Sequence, residues 1–154
     1  MVEIVRAGIA DAAAILELQK LAYRSEAEIY GDVSIPPLAQ TLGELEAEFG
    51  QKTVLKAESD GILVGSVRGF EADGTAHVVR LMVRPAHQGR GIGTRLMAEF
   101  EAAFPKAGRF ELFTGRRSER NLRLYARLGY RVFRYEMIRS GLELVFLEKA
   151  RNAP

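Results

Sequence analysis

The chain has 154 residues, 47% hydrophobic and 27% charged, which suits one soluble domain over 1–154 with a sizeable core and excludes a disordered chain. Its 22 Lys and Arg against 20 Asp and Glu are too evenly matched for bulk attraction to nucleic acid or a membrane, so any anion binding must be local. The lack of cysteine excludes disulfides, thiolate–zinc sites and a cysteine nucleophile.

Val2–Arg6 alternates apolar and charged residues as a short strand does. No basic-then-apolar leader and no run of about 20 apolar residues is present, so a cytoplasmic location is expected. Asp11 opens a helical pattern carried by Ile15, Leu18, Leu21 and Ala22. Proline cannot donate to a helical ladder, so Pro36-Pro37 is expected to close that region, with a mobile loop within Tyr23–Leu38. Thr41-Leu-Gly-Glu44 has the form of a capping box and predicts a short helix to Phe49. From Thr53 the period changes: Thr53–Ala57, Ile62–Phe70 and Ala76–Val83 predict antiparallel strands joined by Asp60-Gly61 and Asp73-Gly74, pairs that tight hairpins favour. Pro85 ends this run, and Ile92, Leu96, Phe100 and Ala103 recur at helical spacing until Pro105. Arg109–Thr114 predicts another strand and Ser118–Leu128 a helix stopped by Gly129. Tyr130–Ile138 and Leu142–Leu147 then predict a hairpin across Ser140-Gly141.

The stretch QGRGIGTRL (Gln88–Leu96) combines bare backbone, two arginines and a helix start. Glycine permits positive φ and close ligand approach, and a helix N-terminus adds unpaired N–H groups with about half a positive charge, so a phosphate is the natural partner. Thr94 stands where a Walker A loop needs its second glycine. A dinucleotide fingerprint fails as well, for want of glycine at Thr94 or Leu96.

Gln88, Gly91 and Gly93 do satisfy R/Q-x-x-G-x-G/A, the acyl-CoA loop of the GCN5-related N-acetyltransferases, and the sequence resembles that family. LMVRP (Leu81–Pro85) looks like the family's strand before the loop, and SERNLRLYARLGY (Ser118–Tyr130) like its last helix; the likeness covers roughly residues 2–148. The resemblance implies an α/β fold with a mixed, mostly antiparallel central sheet of six to seven strands flanked by about four helices. It also implies acetyl-CoA as acetyl donor, lying between Ala76–Val83 and Arg109–Thr114. The main-chain N–H groups from Gln88 through Gly89, Arg90, Gly91, Ile92 and Gly93 to Thr94 would hold its pyrophosphate, with Arg90 and Arg95 as further phosphate candidates. Exposed backbone of Leu81, Met82 and Val83 would pair with the pantetheine arm, and the Val83 N–H would polarise the thioester carbonyl. Tyr125 matches the tyrosine that protonates the departing thiolate. Where many members carry asparagine seven residues before that tyrosine this chain has Ser118, suited to cap the helix, while Asn121 is placed to reach the CoA arm.

The amine acceptor must also lose a proton. Candidate bases or acceptor contacts are Glu26, Glu28, Tyr30, Glu71 and His77; two histidines without cysteine make no zinc site, and no catalytic metal is expected. The acceptor walls, Tyr23–Leu38 and Tyr130–Leu147, carry Glu26, Glu28, Tyr30 and Asp32, which suggests a small cationic amine. A protein lysine or N-terminus, a catalytically silent CoA-binding module and a homodimer through the last strands stay open. Nucleic-acid binding through GRRSERNLR (Gly115–Arg123) is disfavoured because Glu119 interrupts its charge.

Overall fold

The two Asp-Gly pairs set the frame of the sheet. In the computed structural model, which describes residues 1–151, Asp60 and Gly61 have φ of 51° and 78°, and Asp73 and Gly74 of 52° and 80°. Positive φ at both central residues is the turn whose twist matches that of paired strands. These turns join β2 (Thr53–Ser59), β3 (Ile62–Ala72) and β4 (Thr75–Val83), and β1 (Val2–Arg6) pairs antiparallel with β2. β5 (Arg109–Gly115) lies parallel to β4, while β7 (Leu142–Ala150) runs antiparallel between β5 and the edge strand β6 (Arg131–Arg139). The result is a mostly antiparallel seven-stranded sheet in the order β1-β2-β3-β4-β5-β7-β6. β7 continues past the predicted Leu147 because β5 pairs with it as far as Ala150, opposite Arg109.

The helices are α1 (Ala12–Tyr30), α2 (Pro36–Ala39), α3 (Leu42–Glu48), α4 (Ile92–Ala102) and α5 (Glu119–Arg127). α3 has the expected capping box, with Glu44 N donating to Thr41 Oγ1 at 3.2 Å and Thr41 N to Glu44 Oε1 at 2.8 Å. The loop expected within Tyr23–Leu38 is confined to residues 31–35, and the rest of that span is helical. α1 runs on to Tyr30 and ends on Gly31, whose φ of 61° is the left-handed cap conformation that glycine accepts without strain. Pro36 and Pro37 begin α2, where the first-turn N–H groups they lack have no helical partner anyway.

Two glycines of β3 let α4 lie directly on the sheet. A Cβ on Gly69 would stand 1.9 Å from the His77 carbonyl oxygen and 2.7 Å from Phe100 Cζ, and one on Gly65 would stand 2.9 Å from Leu96 Cδ1. Beneath α4 the main core gathers Val67, Val78, Ile92, Leu96, Met97, Phe100, Phe110 and Leu147. Side chains alternate along a strand, so Arg68, next to Gly69, points to the opposite face under α1 and α3. There its guanidinium, with the side chain 1% exposed, donates from Nε to Glu48 Oε1 (2.8 Å) and from Nη2 to Gln40 Oε1 (3.1 Å). Gln19 Nε2 of α1 donates to the same Gln40 oxygen and to the Pro37 carbonyl, both at 2.8 Å. One buried charge thus ties α1, α2 and α3 to β3.

Burial pushes the Glu48 carboxyl up, but the hydrogen bond and charge of Arg68, with Gln40 and Lys52, outweigh this and hold it below the ordinary value near 4.5. A depressed folded-state value means that the stabilisation is complete above the unfolded value and is lost as pH falls through the folded one. Thermal melts of the native chain are therefore expected to fall below about pH 4.5. Glu48→Gln, which leaves Arg68 buried without its counter-charge, is expected to cost about 3–5 kcal/mol at neutral pH and to flatten this acid dependence. In urea unfolding, Gly69→Ala is expected to lose about 3 kcal/mol, whereas Gly43→Ala, which meets no atom within 4 Å on α3, gains about 0.5 kcal/mol.

Candidate active site

β4 and β5 pair only where Thr75–His77 faces Arg109–Glu111, and beyond that they part. A bulge falls at the start of the parting: Arg68 faces Arg80 and Gly69 faces Val78, leaving Val79 unmatched. A bulge bends its strand and increases local twist, which turns β4 away from β5. The β5-side edge of Val78–Val83 is left open. Arg84 N donates to Val64 O at 2.7 Å, so Arg84 faces β3. In an antiparallel ladder each residue directs N–H and C=O the same way and neighbours alternate, so Leu81 and Val83 face the opening. Two contacts agree with this: Gln88 Nε2 donates to Val83 O at 3.2 Å and Tyr23 Oη to Leu81 O at 3.4 Å. The main chain of Met82 is turned to β3, so the expected pairing of its backbone with a ligand is corrected to Leu81 and Val83 alone.

The glycine stretch follows β4 and a short turn, Pro85–His87. Gly91, φ 80°, caps α4, and a Cβ there would meet no protein atom within 4 Å. Among the described residues the N–H groups of Gly89, Arg90, Gly91, Ile92, Gly93 and Thr94 have no partner within the protein, forming a concave array of donors at a helix N-terminus. Gln88 is a correction to this set, because its N–H is spent on Pro85 O at 3.3 Å and its side chain on Val83. The array, Arg90 apart, and the open edge of β4 line one cavity of about 580 Å³, whose far wall is α5. α5 lies close enough that a Cβ on Gly93 would touch Leu124 Cδ2 at 3.5 Å.

At the other end of the cavity α1 meets α5. Glu26 lines it, accepting hydrogen bonds from Ser118 Oγ at 2.5 Å and Asn121 Nδ2 at 3.3 Å; Asn121 also donates to Thr114 Oγ1 at 3.2 Å. Ser118 stands at the N-cap of α5 but makes no cap bond, so the expected capping role is replaced by this one. Its hydroxyl proton is committed to Glu26, so Tyr30 Oη, 3.1 Å away, donates to Ser118 and accepts from Arg117 N at 3.0 Å. The chain of donors Arg117, Tyr30, Ser118 ends on the carboxylate. Asn121 lines the cavity with its amide nitrogen engaged by Glu26 and Thr114.

Tyr125, 6% exposed, sits behind the cavity wall with its ring edge-on to Tyr130 at 6.0 Å. Burial above all, then the neighbouring Tyr23 and Glu26, pushes its hydroxyl far above the ordinary value for tyrosine. The phenol keeps its proton at every physiological pH and has no hydrogen-bond partner among the described residues. Burial raises Tyr23 as well, against the opposing charge of Arg80 and with that of Glu26.

The remaining candidates fall elsewhere. Glu28 is exposed on α1 and off the cavity wall. Glu71 is exposed opposite Ala76, and His77 stacks on Phe70 at 5.0 Å with Glu111 at 3.9 Å. Glu71 of β3 and His77 of β4 both lie beside the closed end of the β4–β5 pair, about 20 Å of strand from Val83, so neither reaches the cavity. Arg95 Nη1 is committed to Val2 O at 3.0 Å, and Arg90 is exposed and off the wall. The wall also holds residues given no role in acetyl-CoA binding from the sequence: Tyr23, His87, and Arg120, Arg123 and Arg127, whose spacing puts them on one helical stripe. No group of three metal-ligating side chains occurs among the described residues, and no helix there is long and apolar enough to cross a membrane.

A donor array for phosphates beside an open strand edge is what an acyl-CoA requires, and residues 13–130 match the model of the acetyltransferase (GNAT) family. The chain belongs to that family and is an acetyltransferase with acetyl-CoA as co-substrate. Its fold is similar to that of PaiA N-acetyltransferase from Thermoplasma acidophilum in complex with coenzyme A, with TM-score 0.81, 20% identity, and 98% of this chain and 99% of that one covered. The ribosomal-protein-S18-alanine N-acetyltransferase of Escherichia coli gives TM-score 0.81 at 14% identity, covering 97% and 94%. The structure of yncA from Salmonella typhimurium with its cofactor acetyl-CoA gives TM-score 0.74 at 26% identity, covering 100% and 98%. No curated protein sequence matches the chain.

Gly91→Ala would hold an alanine in a left-handed conformation and add a Cβ to the open space beside the donor array. Calorimetry is expected to show acetyl-CoA affinity falling about ten-fold, against a stability loss of about 1–2 kcal/mol in the free protein.

Proposed function

We propose that the protein moves acetyl from acetyl-CoA to a small primary amine by direct attack, with Glu26 as general base and Tyr125 as general acid. The observation that carries this reading is the Glu26 carboxylate, fixed inside the cavity by Ser118 and Asn121. The free amine nitrogen attacks the thioester carbonyl carbon, forming a C–N bond, and the oxygen that gains charge is stabilised by the Val83 N–H. The proton lost from nitrogen goes to Glu26. The C–S bond then breaks, the thiolate takes the proton of Tyr125, and the proton held by Glu26 returns to the Tyr125 oxygen as the products leave, so both groups regain their starting states. A thiol of pKa near 8.5 is a good leaving group and needs only modest acid assistance, consistent with a phenol as the acid.

The shape of the acceptor end favours a small cation over a polypeptide. The last turn of α1 rests on β5 and α5: a Cβ on Gly115 would stand 1.8 Å from Tyr30 Oη, and Asp32 pairs with Arg139 Nη2 at 2.5 Å across to the β6–β7 hairpin. Both ties close the path an extended chain would follow between α1 and that hairpin. The fold alone does not choose, since the S18-alanine enzyme by its name acts on a protein.

Thiol release with acetyl-CoA is expected with small diamines or aminoalkyl compounds and not with lysine or N-terminal peptides; the reverse order would overturn the acceptor assignment. Glu26→Gln and Tyr125→Phe are each expected to lower kcat by about 10²-fold with the acetyl-CoA Kd nearly unchanged. Unaltered turnover in either variant removes that residue's role.

A further inference from the structure

The arginine-rich segment after β5 has so far no part in the reaction. α5 presents Arg120, Arg123 and Arg127 to the cavity at positions i, i+3 and i+7, flanking Leu124, which a Cβ on Gly93 at the start of α4 would touch. All three are exposed, and among the described residues their one ion pair is between Arg123 and Glu119, at 4.0 Å with side chains 67% and 82% exposed. Such a pair is solvated and readily exchanged for a better anion. The donor array opposite is built of main-chain N–H groups, and neither sequence-adjacent arginine supplements it: Arg90 lies off the wall and Arg95 is bound to Val2 O.

Coenzyme A carries two kinds of phosphate. Its diphosphate linker suits convergent main-chain N–H groups at a helix N-terminus. Its ribose 3′-phosphate is a monoester with about −1.5 to −2 charges at neutral pH, and a guanidinium fork matches such a group in charge and in planar geometry. We propose that the Arg120–Arg123–Arg127 stripe is the ribose-phosphate subsite and makes the protein selective for coenzyme A over its 3′-dephospho form. The segment disfavoured as a nucleic-acid contact thus binds the nucleotide part of the co-substrate. The proposal rests on acetyl-CoA occupying this cavity.

The test compares coenzyme A and 3′-dephospho-CoA by calorimetry at low salt, on the native chain and on Arg123→Gln/Arg127→Gln. The native chain is expected to prefer coenzyme A by about ten-fold or more, and the double variant to lose most of that preference while binding 3′-dephospho-CoA within about two-fold of native. Since α5 leaves both side chains in solvent, thermal melts should coincide. Equal native affinities, or a preference that survives in the variant, overturns the subsite. Failure of the native chain to bind either ligand overturns the cavity assignment with it.

Discussion

Everything at this site depends on two strands failing to stay together. Parallel pairing of β4 with β5 is satisfied over Thr75–His77 and then abandoned, at a bulge that already belongs to the β3–β4 hairpin. Once the strands part, main-chain polar groups of Leu81 and Val83 face an opening instead of a neighbouring strand, and a buried group of that kind must find a partner. A ligand with amides along its length meets the need. The wedge also makes room for α5, which brings both the arginine stripe and the residues that hold Glu26. A sheet paired to its full length would have neither cavity nor helix there.

The two faces of the sheet solve different problems. On the α4 side, Gly65 and Gly69 remove side chains so that Leu96 and Phe100 pack at backbone distance, and apolar burial holds the helix. On the α1 side, Arg68 draws in Glu48, Gln40 and Gln19. A buried ion pair adds little net stability beyond its desolvation cost, but breaking it is expensive, so it fixes geometry more than it stabilises. That suits its location. α1 carries Glu26 and Tyr30 at its far end, and a helix free to rotate would lose both contacts with α5.

Much of this was legible in the sequence because local chemistry agrees with the final structure. Asp-Gly turns, the Thr41–Glu44 box and the spacing of Ile92, Leu96 and Phe100 each specify one conformation, and QGRGIGTRL specifies a donor array. The failures share a cause. How far α1 runs into 23–38 is not legible because its apolar face is sparse there; tertiary contacts hold 23–30 helical, namely Ala27 in the interior and Tyr30 against Gly115. Ser118 reads as a cap because its neighbourhood in sequence does not reveal that Glu26 will arrive from ninety-odd residues away. His77 and Glu71 were plausible by residue type and excluded only by which end of β4 opens.

The region matched by the family model stops at Tyr130, and β6 begins at the next residue. The donor groove therefore lies wholly within the shared part, while the β6–β7 hairpin lies beyond it. β7 holds that hairpin in place through main-chain pairing with β5 along its length, from Gly115 opposite Leu144 to Arg109 opposite Ala150. Such pairing is indifferent to most of the side chains that β6 displays. Descendants of this chain can therefore diversify the outward residues of one ribbon and so acquire new acceptors, while inheriting unaltered the apparatus that delivers the acetyl group.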